Sequence, residues 1–229
     1  VLSDLHVGSH ACDLERFQSI VRELNVYTFD LLLFPGDFVN MQPFGGGRIP
    51  PQMIAEILEP LAHKVPAVAV LGNHDAEYGN EHVATALATS GIAVLSNQSV
   101  IVETNAGIVQ VAGIEDHSTG ASDVNKALAG ISYEVPVIVL AHDPASFAEV
   151  PLGPLVTICG HTHGGQVHLP MFGALVNASV APMAWTHGHI RDSGRHLIVS
   201  AGLGTSVLPF RLGCPPEIVE IVVEPEDRV

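Results

Sequence analysis

Apolar positions along the chain recur with two periods, one helical and one extended. Leu14, Phe17, Val21 and Leu24 follow Asp13 at intervals of three and four, so Asp13 is expected to cap a helix. Met53, Ile54, Ile57, Leu58 and Leu61 repeat that spacing behind Pro51, a residue suited to a first helical turn. A third helix is expected from about Glu81 to Thr89, stopped at Gly91, and a short one from a Ser122 cap through Leu128. Between them lie short, continuously apolar runs: Leu31 to Phe34, Pro66 to Leu71, Val135 to Leu140 and Leu155 to Cys159. Such runs predict buried parallel strands.

Val1 to Ser3 reads as the end of another strand. Because a strand normally has a few more residues, a segment before Val1, with any signal or anchor, is expected. Ile92 to Leu95, Val100 to Val102 and Ile108 to Val111 predict further strands, the last two joined by a turn at Asn105-Ala106-Gly107. Met41 to Pro51, with three glycines and three prolines, is expected to be a loop. Antiparallel strands are expected over Gln166 to Leu169 and on either side of Asp192-Ser193-Gly194, and Ile218 to Val223 is expected to close the sheet. The first half alternates strand and helix while the second is mostly strand. That order predicts one α/β domain over residues 1–229, with two packed mixed sheets flanked by helices.

Charge narrows the function. Nine Lys and Arg against 24 Asp and Glu give a formal charge of −15, which disfavours a nucleic-acid groove and favours a site for cations. Three widely spaced cysteines argue against a disulfide framework or a zinc-thiolate site.

The polar residues that end the strands carry the chemistry. Asp4 and His6 follow the first strand, Asp37 the second, Asn73 and His74 the third, His142 the Val135 run, and His161 and His163 the Leu155 run. In open α/β sheets, ligand sites collect beyond the carboxyl ends of strands, where residues distant in sequence converge. The order Asp-x-His, Gly-Asp, Gly-Asn-His-Asp, His, Gly-His-x-His resembles the calcineurin-like metallophosphoesterase family, over roughly residues 4 to 163. Gly164 to Pro170, Gly202 to Ser206, Leu208 to Arg211 and Pro216 to Ile218 resemble a bacterial branch of small phosphodiesterases that includes UDP-diacylglucosamine pyrophosphatase-like enzymes.

The resemblance implies a four-layer α/β/β/α sandwich holding two divalent ions, Mn, Fe or Zn. Asp4, His6 and His163 would hold the first and Asn73, His142 and His161 the second, with Asp37 bridging. It implies hydrolysis of phosphodiester or diphosphate bonds through a hydroxide shared by the metals, with His74 steadying phosphoryl charge or protonating the leaving oxygen. A phosphomonoesterase and a non-catalytic metal-binding scaffold are the alternatives. The implied partners are small phosphorylated substrates, including lipid-linked or nucleotide-sugar diphosphates, with peripheral membrane association. Localisation stays open between cytoplasmic and, if a preceding segment carries a signal or anchor, membrane-associated or exported. One departure is Asn40, at a position where many relatives carry an aspartate that orients the catalytic histidine.

Other residues stay open between two readings. His187 and His189 repeat the His-x-His spacing but read more simply as loop residues. Asp116 and His117 end a strand, at the edge of a pocket or merely at a turn. Met171 to Val176, near Pro182 to Trp185, reads as a packed loop, a wall for an apolar substrate group or a membrane-surface contact. Arg211 reads as a phosphate ligand or a structural cation.

Overall fold

The computed structural model describes residues 1–41, 46–169 and 171–224; residues 42–45 of the expected loop and Pro170 lie outside them. Helix α1, Leu14–Leu24, begins where expected, with the Asp13 carboxylate accepting from Arg16 N at 2.8 Å. Its buried face, Phe17 and Val21, is the one predicted by spacing. Strand β1, Leu32–Phe34, leads to helix α2, Pro51–Ala62, which opens on Pro51 as expected. Strand β2 is Ala67–Ala69, helix α3 Asn73–Tyr78, helix α4 Asn80–Thr89 and strand β3 Ile92–Val94. Helix α3 begins at the polar residues that follow β2, where no helix was expected.

A hairpin follows, β4 over Gln98–Thr104 and β5 over Gly107–Gly113. Helix α5, Val124–Ala127, is capped by Asp123 and not by Ser122: the Asp123 carboxylate accepts from Lys126 N at 2.9 Å. Strands β6, Val137–Leu140, and β7, Leu155–Cys159, are fully or nearly buried. A short hairpin, β8 over His168–Leu169 and β9 over Gly173–Ala174, precedes β10, Gly188–Asp192, and β11, Arg195–Val199.

The smaller sheet has the order β1-β2-β3 and is parallel throughout; the larger is mixed, in the order β10-β11-β7-β6-β5-β4. Residues 218–223 form no regular strand. Instead Val219 exchanges two backbone hydrogen bonds with Val1, at 2.8 and 3.2 Å. Val1 to Asp4 in turn run beside β1, through Leu2 N to Leu33 O and Asp4 N to Gly36 O.

Three apolar clusters define the layers. Leu33 and Val68 of the smaller sheet, with Val70 just past β2, meet Val111, Ile138, Leu140 and Ile158 of the larger one between the sheets. Phe34, Ala67 and Ala69 face the other way, against α1, α2 and α4. Val137, Val139, Leu197 and Val199 pack outward on Val124 and Ala127 of α5, with Phe147 and Trp185 alongside. The result is the helix, sheet, sheet, helix order of an α/β sandwich. Alternation along each buried strand sends one set of side chains to the shared layer and the other to the helices. The strands thereby carry their polar ends to one region of the molecule.

Candidate metal centre

All seven residues expected as ligands meet beyond the ends of β1, β2, β6 and β7 and of the segment Val1 to Ser3, which was expected to be a strand end and runs beside β1 without forming a regular strand. His6 Nε2 lies 3.2 Å from His163 Nε2, and His163 Nε2 lies 3.7 Å from Asp4 Oδ1. His142 Nε2 lies 3.1 Å from His161 Nδ1 and 3.2 Å from Asn73 Oδ1. One oxygen of Asp37, Oδ2, stands 3.3 Å from both His6 Nε2 and His142 Nε2. Asp4, His6, Asp37, His142 and His163 are all buried.

The backbone is bent to achieve this. Asp4, His6, Asp37, His161 and His163 have φ of 48°, 37°, 58°, 68° and 51°, in the left-handed region that side-chain-bearing residues seldom occupy. Each such residue costs about 1–3 kcal/mol, which the surrounding hydrogen bonds must offset. Those bonds are present: His161 N donates to Asp4 Oδ1 at 2.9 Å, and His74 N to Asp37 Oδ1 at 2.9 Å. Gly72 and Gly160 allow the close approach, since a Cβ at Gly72 would collide with Asp37 Oδ1 and His142 Nε2, and one at Gly160 with Ser3 and Asp4.

The orientation of the imidazoles tests whether a cation fits. His6 Nδ1 faces Val39 O at 3.2 Å, His142 Nδ1 faces Pro35 O at 2.8 Å and His161 Nε2 faces Ala178 O at 3.3 Å. A carbonyl can only accept, so in the neutral ring the outer nitrogen donates and the inner one keeps its lone pair. For His142 and His161 the two inner nitrogens then face each other at 3.1 Å beside Asn73 Oδ1 and Asp37 Oδ2. Four electron-rich atoms converge there, an arrangement that a bound cation relieves and that outer carbonyls commonly enforce around metals.

Protonation follows the same geometry. Burial opposes charge on His142, but the Asp37 carboxylate outweighs it and holds the pKa well above 6.5, so without a cation a proton takes the place beside Asp37 and a bound cation would displace it. Burial lowers His6, and burial with the neighbouring His6 and Arg211 lowers His163 well below the ordinary value. Asp37, despite burial, is held well below the carboxylate range by His142 and His6.

His74 stands beside these groups, its ring 5.0 Å from that of His6 and its Nδ1 3.4 Å from Glu77 Oε2. Asn40 is buried and donates from Nδ2 to Gly47 O at 3.2 Å. Arg211 does not point to a substrate phosphate: its guanidinium donates to the carbonyls of His163, Ala201, Gly202 and Gly204. It also approaches His163 Nδ1 at 3.3 Å, so it secures the last histidine of the cluster. His187 pairs with Glu217 at 2.9 Å, its ring beside Gly164, and His189 pairs with His196 at 2.9 Å; neither belongs to a group of candidate ligands among the described residues.

Asp75 has a role that the order of motifs does not announce. Its carboxylate accepts from the backbone N–H of Asp37, Phe38, Val39 and Gly72, tying the Asp37 loop to the start of α3. Burial and the Asp37 charge push its pKa up to about 7, against those backbone donors. Glycine has no side chain to complete a capping box, so only the reciprocal half is present, Asp75 accepting from Gly72 N, and an acidic residue three positions after a glycine is too weak a pattern to mark Asp75 or the unexpected helix.

Known proteins resemble this chain over most of its length. Residues 1–165 match the model of the calcineurin-like phosphoesterase family. The chain is 32% identical to the phosphodiesterase YaeI of Escherichia coli (strain K12) over 205 residues, covering 82% of this chain and 68% of that protein. It is 30% identical to the metallophosphoesterase YkoQ of Bacillus subtilis (strain 168), covering 95% and 80%, and 26% identical to YkuE of the same organism, covering 94% and 75%. Among solved structures, a 5'-nucleotidase precursor from Thermus thermophilus shares the fold at a TM-score of 0.53 and 17% identity. That match spans 86% of this chain and only 44% of the nucleotidase. The chain therefore belongs to the calcineurin-like phosphoesterase family and is a metal-dependent phosphoric ester hydrolase.

Proposed function

We propose that the seven clustered residues hold two divalent cations and that the chain hydrolyses phosphodiester or diphosphate bonds. The observation that carries this reading is Asp37 Oδ2, equidistant at 3.3 Å from a histidine nitrogen of each group. Asp4, His6 and His163 would hold one cation, Asn73, His142 and His161 the other, and Asp37 would be shared between them. Mixed imidazole, amide and carboxylate donors favour Mn, Fe or Zn over Ca. When bound, such a pair would acidify water toward a pKa of ~7 and polarise the phosphoryl oxygens. Asp37 and the imidazoles fix the geometry, while His74 steadies phosphoryl charge and supplies a proton to the leaving oxygen.

The preference for diesters rests on the relative YaeI, which is named a phosphodiesterase. A lipid-linked substrate and a peripheral membrane contact belong to the same reading. Residues 150–190 contain no Asp, Glu, Lys or Arg, and they expose Met171, Phe172, Leu175, Val176, Val180 and Met183 close to His161 and His163.

Protein purified without added metal or chelator should carry about two transition-metal ions per chain, and should hydrolyse bis-p-nitrophenyl phosphate faster than p-nitrophenyl phosphate. Asp37→Ala should lose both ions; His74→Ala should keep both and lose about 10²–10⁴-fold in turnover. Two ions without hydrolysis of any phosphoester would indicate a scaffold, and faster monoester hydrolysis a phosphomonoesterase. No ion after reconstitution would remove the reading altogether.

A further inference from the structure

The loop after β11 packs directly on the first of the two ligand sets. Gly202 and Gly204 leave no space between loop and ligands: a Cβ would meet Asp4 Cβ at 2.5 Å from Gly202, and His6 Cβ at 2.6 Å from Gly204. Gly204 N also donates to Asp4 O at 2.7 Å, and Leu203 N to Ser3 O at 3.1 Å. The positions of Asp4 and His6 therefore depend on where this loop lies.

Arg211 fixes the loop in turn. Its half-buried guanidinium donates from Nη2 to Ala201 O and Gly204 O, each at 2.6 Å, and from Nε to Gly204 O at 3.0 Å. From Nη1 it donates to His163 O at 3.2 Å, and Nη2 lies 3.3 Å from His163 Nδ1. One planar fork thus joins the loop behind Asp4 and His6 to the turn that carries His163, where φ is 51° and the backbone needs outside partners. The other set is held from elsewhere: His142 Nδ1 faces Pro35 O, His161 Nε2 faces Ala178 O, and Asn73 opens α3. Among the described contacts, Arg211 touches none of those three residues.

We infer that Arg211 is a positioning residue for one cation only, the one assigned to Asp4, His6 and His163. The inference rests on the two-cation reading proposed above and adds an asymmetry to it. The charge of Arg211 opposes a cation nearby, so its contribution is geometric: it fixes three ligands from behind, as outer partners of metal ligands do. The carbonyl oxygens of His163, Ala201, Gly202 and Gly204 take up that charge. A lysine would present a point charge without the fork that spans both segments.

The test titrates the metal-free full chain with Mn²⁺ and follows bound ions per chain together with the electron paramagnetic resonance spectrum. Wild type should take up about two ions and show a spin-coupled pair. Arg211→Met should weaken one ion by about 10–100-fold and leave the other at its wild-type affinity, so that the coupled signal gives way to that of an isolated ion. Arg211→Lys, which keeps the charge without the fork, should weaken the same ion to a lesser degree, and it carries the comparison should Arg211→Met not fold. His163→Ala should reproduce the spectrum of Arg211→Met, and His161→Ala combined with Arg211→Met should weaken both ions. Wild-type affinity for both ions in either Arg211 variant, tighter binding of one, or equal weakening of both would overturn the inference; equal weakening is what a merely structural arginine would give. Failure of wild type to bind a pair would overturn the two-cation reading itself, and the inference with it.

Discussion

At the residue scale, the candidate centre depends on groups that hold ligands as much as on the ligands. Five of the ten non-glycine residues with left-handed φ among the described residues are Asp4, His6, Asp37, His161 and His163. Strain of that kind persists only where neighbours over-determine the backbone. Asp75 is the clearest such neighbour, since its buried carboxylate takes backbone N–H groups from both the Asp37 loop and Gly72. Asp75→Ala leaves these donors buried without an acceptor, each at about 1–3 kcal/mol. The variant should lose about 3 kcal/mol or more of stability in denaturant unfolding, and should bind metal more weakly than wild type even where folded. A loss below about 0.5 kcal/mol, the range of an ordinary surface change, would show that Asp75 holds nothing in place.

At the element scale, the hairpin of β8 and β9 joins the centre to the molecular surface. Gly165, next to the His163 turn, lies so close to it that a Cβ would meet Ala174 Cβ at 2.6 Å and Val176 O at 2.9 Å. Its far end leaves Met171 fully exposed and Phe172 largely so. Exposed apolar groups gathered beside a site point to a ligand or membrane contact. Met171→Ser with Phe172→Ser should change stability by no more than about 0.5 kcal/mol. It should abolish co-sedimentation with phosphatidylcholine vesicles, and wild type that fails to co-sediment would remove the membrane contact. The same hairpin illustrates what the sequence could and could not disclose. Helices α1 and α2 were legible because capping or proline chemistry and a 3.6-residue apolar period agree, and the site because each ligand follows an apolar run. Helix α3 was not, since Asn73, His74 and Asp75 are placed by the centre and carry no apolar period. The cap of α5 moved from Ser122 to Asp123 because adjacent residues both suit capping. Residues 218–223 read as a strand by composition, yet their described pairing with Val1 is confined to two backbone bonds at Val219. Arg211 is one side chain spanning carbonyls at residues 163 and 201 to 204, and no local pattern announces such a contact.

At the scale of the whole molecule, the two ends of the described chain converge on the candidate centre. Leu203 N donates to Ser3 O and Gly204 N to Asp4 O, so the loop after β11 braces the first ligand. Glu217 braces that loop in turn: its N–H donates to Gly202 O at 3.1 Å, and its carboxylate accepts from Ala201 N at 2.8 Å and pairs with His187. The His187–Glu217 pair gives this brace a pH dependence. Its hydrogen bond to Glu217 raises the pKa of His187 above 6.5, so that contribution is complete below pH 6.5 and fades as pH rises through the raised value. The bond to His187 lowers Glu217 below 4.5, so its contribution is complete above pH 4.5 and fades as pH falls through the lowered value. The two overlap fully only between about pH 4.5 and 6.5. Both side chains are about one-third exposed, and solvent screening keeps the pair below about 1 kcal/mol. His187→Gln should therefore lower stability by a few tenths of a kcal/mol near pH 5.5 and by progressively less toward pH 8. Unfolding midpoints of both proteins at the two pH values, at low salt, measure this directly. A deficit that grows toward pH 8 would mean that His187 braces the loop as a neutral donor, not as a charge.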